Sequence, residues 1–224
     1  MGYYIDIEKW SIREYMDRLN SADLLPSRRV LRDDIERRFE IIRSQNVQTV
    51  GDLTKVLKNK NNLEVFSERS GLEETYLKIL IREINSNKPS PNNLKDFPGV
   101  DEEIVLKLAE HGIKNTLQLF PHILTGHDRE ALARKLGIEE NKILWLARLT
   151  DLSRIRWVNH TFAYMLLEAG YDGAQRVADA DPQTLCDDIA QLNAKRSLFK
   201  GKIGFHDMKL CVEAARTLSF EVEY

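Results

Sequence analysis

Four cationic side chains, Lys195, Arg196, Lys200 and Lys202, stand in a glycine-containing stretch with no acidic residue between Asp188 and Asp207. Such a patch can hold phosphate groups, because lysine and arginine displace counterions when they meet a polyanion. A second basic pair, Arg154 and Arg156, flanks a turn that carries Trp157 and Asn159. Arg154, Arg156 and Asn159 therefore join the candidate contacts to nucleic acid. A third cluster, Arg28, Arg29, Arg32, Arg37, Arg38 and Arg43, is interleaved with Asp33, Asp34, Glu36 and Glu40. Those acids fall at salt-bridging helical spacings, so this cluster reads as a solvated helix face.

Catalytic chemistry finds little support. His111, His122, His127, His160 and His206 show no metal-ligand spacing, and none stands beside a nucleophile in a recognised arrangement. The glycines form neither a phosphate-cradling loop nor a dinucleotide fingerprint. Cys186 and Cys211 lie 25 residues apart with no neighbouring ligand, which suits buried free thiols. Trp145 sits within an apolar stripe as a core anchor, whereas Trp10 and Trp157 have polar neighbours. No enzyme, metal or cofactor is expected.

The chain has 224 residues, 42% of them apolar, which is enough to build real cores. Its 33 basic and 35 acidic side chains leave a net charge of −2, so no global field draws it to nucleic acid or membrane. Met1 runs straight into Tyr3, Tyr4, Ile5 and a charged stretch, without the pattern of a secretory leader. No apolar run approaches the ~18 residues of a spanning helix. A cytosolic, non-membrane protein is the expectation.

The elements that must carry the basic residues are marked by repetition. Ser67–Glu74, SERSGLEE, returns 66 residues later as Ala133–Glu140, ARKLGIEE, and the 24-residue interval from Val47 to Gly71 equals that from Ile113 to Gly137. A third copy follows 58 residues after the second: Leu94, Phe97, Val100, Ile104, Leu108 and Gly112 are answered by Leu152, Ile155, Val158, Phe162, Leu166 and Gly170. Tandem units of this kind bury their apolar faces on one another.

Helical spacing dominates within the copies. Leu31, Ile35, Phe39 and Ile42 line one face, and Tyr76, Leu77, Leu80 and Ile84 another. Gly112 and Gly170 stand where a left-handed residue closes a helix, and Asn46 fills that place in the first copy. Asp128, Asn159 and Asp181 are expected to cap helix starts. The stretch 85–93, NSNKPSPNN, has the composition of a linker. Residues 3–7 and 219–224 (SFEVEY) alternate like strands, compatible with a small ribbon between the termini, although runs this short do not distinguish strand from helix.

The segment Leu94–Gly112, LKDFPGVDEEIVLKLAEHG, resembles a helix-hairpin-helix unit, with a tight turn at Pro98-Gly99-Val100. In that family the turn's backbone amides hold a nucleic-acid phosphate without reading bases. This copy has Asp101 where the second turn glycine is expected, followed by Glu102 and Glu103, and three carboxylates there repel phosphate. The stretch Leu152–Leu218, with RIRWVNHTFAYMLLEAGYDGAQRVADADPQTL and LNAKRSLFKGKIGFHDMKLCVEAARTL, resembles a family of uncharacterised bacterial proteins built from such hairpins. That resemblance implies a fold and no activity.

The expected architecture is all-α: tandem helix-hairpin-helix-like (SAM-like) units packed into one elongated body, with residues 1–88 as the first, 89–93 as linker, 94–150 as the second and 151–224 as the third. The expected function is a non-catalytic module that binds nucleic acid through hairpin amides and the Lys195–Lys202 loop. The alternative is a protein-interaction scaffold whose degenerate hairpins keep only a packing role.

Overall fold

A computed structural model of the chain describes residues 2–224, and these form two compact units. One is continuous, residues 6–88. The other joins residues 2–5 to residues 89–224. Helices dominate, and among the described residues β structure is confined to two isolated bridges.

In the 6–88 unit the helices are α1 (Ile12–Ser21), α2 (Ile35–Ser44), α3 (Val50–Val56), α4 (Lys60–Ser70) and α5 (Glu74–Asn85). The apolar stripes of α2 and α5 meet in a core that includes Leu31, Phe39, Ile42, Leu53, Leu77 and Leu80. Burial of each such side chain contributes about 1.5–3 kcal/mol against the entropy of ordering the chain. Glu83, also buried, pairs with Arg28, so its charge is compensated rather than stranded.

The larger unit holds α6 (Glu102–Glu110), α7 (Thr116–Leu119), α8 (Gly126–Leu136), α9 (Glu140–Leu152), α10 (His160–Glu168), α11 (Ala174–Ala178), α12 (Pro182–Arg196) and α13 (Phe205–Arg216). Residues 94–150 and 151–224 share one apolar core here, with Leu108, Ile143, Leu149, Leu166, Leu185 and Val212 among its members.

The internal copies agree in backbone detail. Gly71 and Gly137 close α4 and α8 in the left-handed region, at φ 72° and 60°. Asn46, Gly112 and Gly170 take the same conformation at φ 62°, 80° and 92°. Thr49 and Asn115 each cap the short helix that follows. Even the entry clasp recurs: Ile12 and Val50 amides donate to Gln48 and Trp10 carbonyls, and Leu94 and Thr116 amides donate to Lys114 and Asn92 carbonyls, all at 2.9–3.0 Å.

The termini do not form the expected ribbon. The Arg154 guanidinium lies between the two segments instead, donating from Nε to the Tyr3 carbonyl at 3.2 Å and from Nη2 to the Ser219 carbonyl at 2.8 Å. A side chain thus satisfies the carbonyls that a ladder would otherwise pair. Tyr3 is buried against Phe120, and its hydroxyl shares a 2.7 Å hydrogen bond with Thr116. Residues 2–5 therefore belong to the unit formed by 89–224.

Candidate nucleic-acid interface

The loop between α12 and α13 carries the densest positive charge, and its backbone is tightly specified. α12 ends at Ser197, which takes φ 51° and returns its amide to the Asn193 carbonyl at 2.8 Å. Asn193 then holds Phe199 at both backbone groups: its Nδ2 donates to the Phe199 carbonyl, and the Phe199 amide donates to its Oδ1, each at 2.9 Å. Gly201 lies against the Phe199 ring so closely that no Cβ could stand there with the ring in place. At the far end Asp207 accepts the Gly204 amide at 2.9 Å and starts α13.

Within this frame Leu198 and Ile203 turn inward onto the core. Lys195, Lys200 and Lys202 are exposed. Arg196 is exposed too, but its guanidinium pairs with Glu168 and donates to the Tyr164 hydroxyl at 3.2 Å. Among the described residues the other three loop cations have no ion-pair partner, while Arg196 ties the loop to α10.

The candidates around the third copy's turn are dispersed. Arg154, expected as a phosphate contact, is buried: its Nη1 donates to Asp151 at 2.7 Å while its remaining nitrogens hold the termini. A guanidinium enclosed on all sides cannot reach a polyanion, so Arg154 leaves the candidate set. Arg156 is partly buried and stacks 4.0 Å above the Trp157 ring. Asn159 is exposed, yet its Oδ1 accepts the Phe162 amide at 2.9 Å and serves as the cap of α10. Trp157 occupies the turn at φ 69°, where the preceding copy has Gly99 at φ 76°. In that preceding copy Asp101 takes the cap, its Oδ1 accepting the Glu103 amide at 2.9 Å.

Beside Gly99 lies an open groove of about 340 Å³, lined by Val100, Ile104, Trp145 and Tyr164 together with Asp101, Lys142 and Glu168. Of the basic cluster in the 6–88 unit, Arg28 pairs with Glu83, and Arg38 stacks 4.3 Å over Tyr76 while donating to the Val30 carbonyl, whereas Arg29, Arg37 and Arg43 are exposed.

Phe199 and Phe205, which are not among the sequence-based candidates, flank the lysines and are 41% and 49% exposed. Their signal lay in the alternation of FKGKIGF, where aromatic rings interleave with cations. Asn193 is absent from those candidates as well, and nothing in the residue's type announces a double clamp. Among the described residues no group of three or more His, Cys, Asp or Glu is gathered as a metal site, and no helix is long and apolar enough to cross a membrane. Both cysteines are free, and burial pushes the Cys211 thiol up to about 12.

The chain belongs to the family described as a domain of unknown function, DUF4332, which matches residues 98–218. That match spans α6 to α13 and so contains the basic loop, the groove and both turns. Comparison with curated proteins and with solved structures returned no match.

Proposed function

We propose that this chain is a non-catalytic helical module that associates with nucleic acid, without sequence specificity, through the Lys195–Lys202 loop. The observation that carries the reading is a loop, clamped by Asn193, that presents three exposed lysines with no ion-pair partner among the described residues and no carboxylate of its own. The turns at Gly99 and Trp157 resemble helix-hairpin-helix turns in their left-handed residue and the helix cap that follows it. Their capping side chains already occupy the helix starts, and Asp101, Glu102 and Glu103 surround the first with negative charge. The loop, rather than the turn amides, therefore takes the phosphates. The free thiols fit a reducing, cytosolic setting.

Salt titration of binding to a labelled oligonucleotide tests the reading. Three lysine contacts imply that log K falls against log salt with a slope of roughly −2 to −3. Lys200→Glu combined with Lys202→Glu should abolish binding. Undetectable binding at low salt overturns the proposal and favours the second reading, a protein-interaction scaffold. That reading draws on the groove beside Gly99, whose lining mixes apolar side chains with Asp101, Lys142 and Glu168.

A further inference from the structure

The basic loop carries more than charge, because every lysine in it stands close in sequence to an exposed phenyl ring. Lys195 and Lys200 bracket Phe199, and Lys202 precedes Phe205 by three residues. With Phe199 41% exposed and Phe205 49% exposed, each ring leaves a substantial part of its surface to solvent. The aliphatic residues of the same loop behave oppositely, since Leu198 and Ile203 pack onto the core. The fold thus sorts this loop, turning its aliphatic side chains in and its rings and ammonium groups out.

That sorting distinguishes among polyanions. A duplex presents its phosphates with the base faces stacked inside, so it uses the lysines and leaves the rings idle. A membrane-binding loop also uses aromatic rings beside basic residues, but it gains most when aliphatic side chains enter the acyl boundary with them, and Leu198 and Ile203 pack inward here. A single strand offers phosphates together with unstacked bases, and every base has a face that an aromatic ring can cover without regard to sequence. The Asn193 clamp fixes the Phe199 backbone and the ring lies close to Gly201, so part of the ordering cost is met before any ligand arrives.

We infer that the ligand of this loop is single-stranded nucleic acid, its phosphates held by Lys195, Lys200 and Lys202 and its bases stacked on Phe199 and Phe205. The inference rests on the nucleic-acid reading above and narrows it to one class.

Fluorescence anisotropy of the full chain with labelled oligothymidine and with a blunt duplex of equal length, at low salt, decides the matter. The strand should bind about tenfold more tightly than the duplex. Phe199→Ala and Phe205→Ala should each weaken strand binding by about fivefold to a hundredfold and leave duplex binding unchanged. Phe205→Trp, which keeps a stacking face, should retain the affinity. Both positions are exposed enough that thermal melts should match the parent chain, separating lost stacking from lost folding. Equal affinity for strand and duplex, unmoved by the phenylalanine variants but abolished by Lys200→Glu with Lys202→Glu, overturns the inference and leaves the broader reading intact. Loss of neither ligand in the double lysine variant overturns both. Binding to phosphatidylserine vesicles, with none to the strand, assigns the loop to a lipid surface and overturns both as well.

Discussion

Arg154 is the side chain whose role changes most between sequence and structure. It has the type and position of a phosphate contact, yet it is enclosed with Asp151 and joins both ends of the larger unit. Removing one partner of a buried pair strands the other charge, so Arg154→Ala should destabilise the chain by about 3–5 kcal/mol in urea melts. Arg154→Ala with Asp151→Ala should cost less than the sum of the two single changes. Acid should act through the capping carboxylates. Hydrogen bonds from Thr49 hold Asp52 below its ordinary value, and those from Thr125 do the same for Asp128. A lowered folded pKa adds stability above the unfolded value, and that stability is lost as pH falls through the folded one. Melting curves taken from neutral pH into the acid range should therefore decline below about pH 4. Asp52→Asn with Asp128→Asn should flatten that decline. Burial keeps Cys211 a thiol rather than a thiolate, so alkylating reagents should spare it in the native chain and modify it in urea.

At the scale of elements, the copies were legible because their punctuation is chemical. A left-handed helix end favours Gly or Asn, and a helix start wants a short side-chain oxygen, so Asn46, Gly71, Gly112, Gly137, Asn115 and Asn159 mark boundaries by residue type alone. The same logic gives opposite signs for two substitutions. Gly137→Ala, forced into φ 60°, should cost about 1 kcal/mol, whereas Asn46→Gly should be neutral or slightly stabilising, both read from denaturant midpoints. Trp157 was legible only by its place, where the repeat puts a turn glycine, and Ser197 not at all, since both adopt left-handed backbone that their residue types give no ground to expect. The terminal alternation misled because isolated short segments satisfy their carbonyls with whatever donor is near, here a guanidinium contributed from elsewhere in the sequence. The charged half of the candidate loop could be read from composition. Its aromatic half depended on which apolar residues turn inward, and that is decided only by packing.

For the molecule as a whole, the unit boundaries do not follow chain order. Tyr3 contributes its ring, its hydroxyl and its carbonyl to the unit that resumes at Pro89. Tyr3→Ala should therefore cost about 3–5 kcal/mol and lower amide-exchange protection in 94–152, while amides of 12–85 keep theirs. The near-zero net charge conceals a local cationic loop, which is why composition excluded a global field without excluding a binding patch. The nesting of 6–88 between residues 5 and 89 has a temporal side. Glu8 and Lys88, near the two ends of the inner unit, form an ion pair, so its entry and exit lie together like the stalk of a cassette. A ribosome would finish that cassette while Tyr3 still lacked Thr116, Arg154 and Ser219, so a residue that precedes the cassette in the chain settles after it.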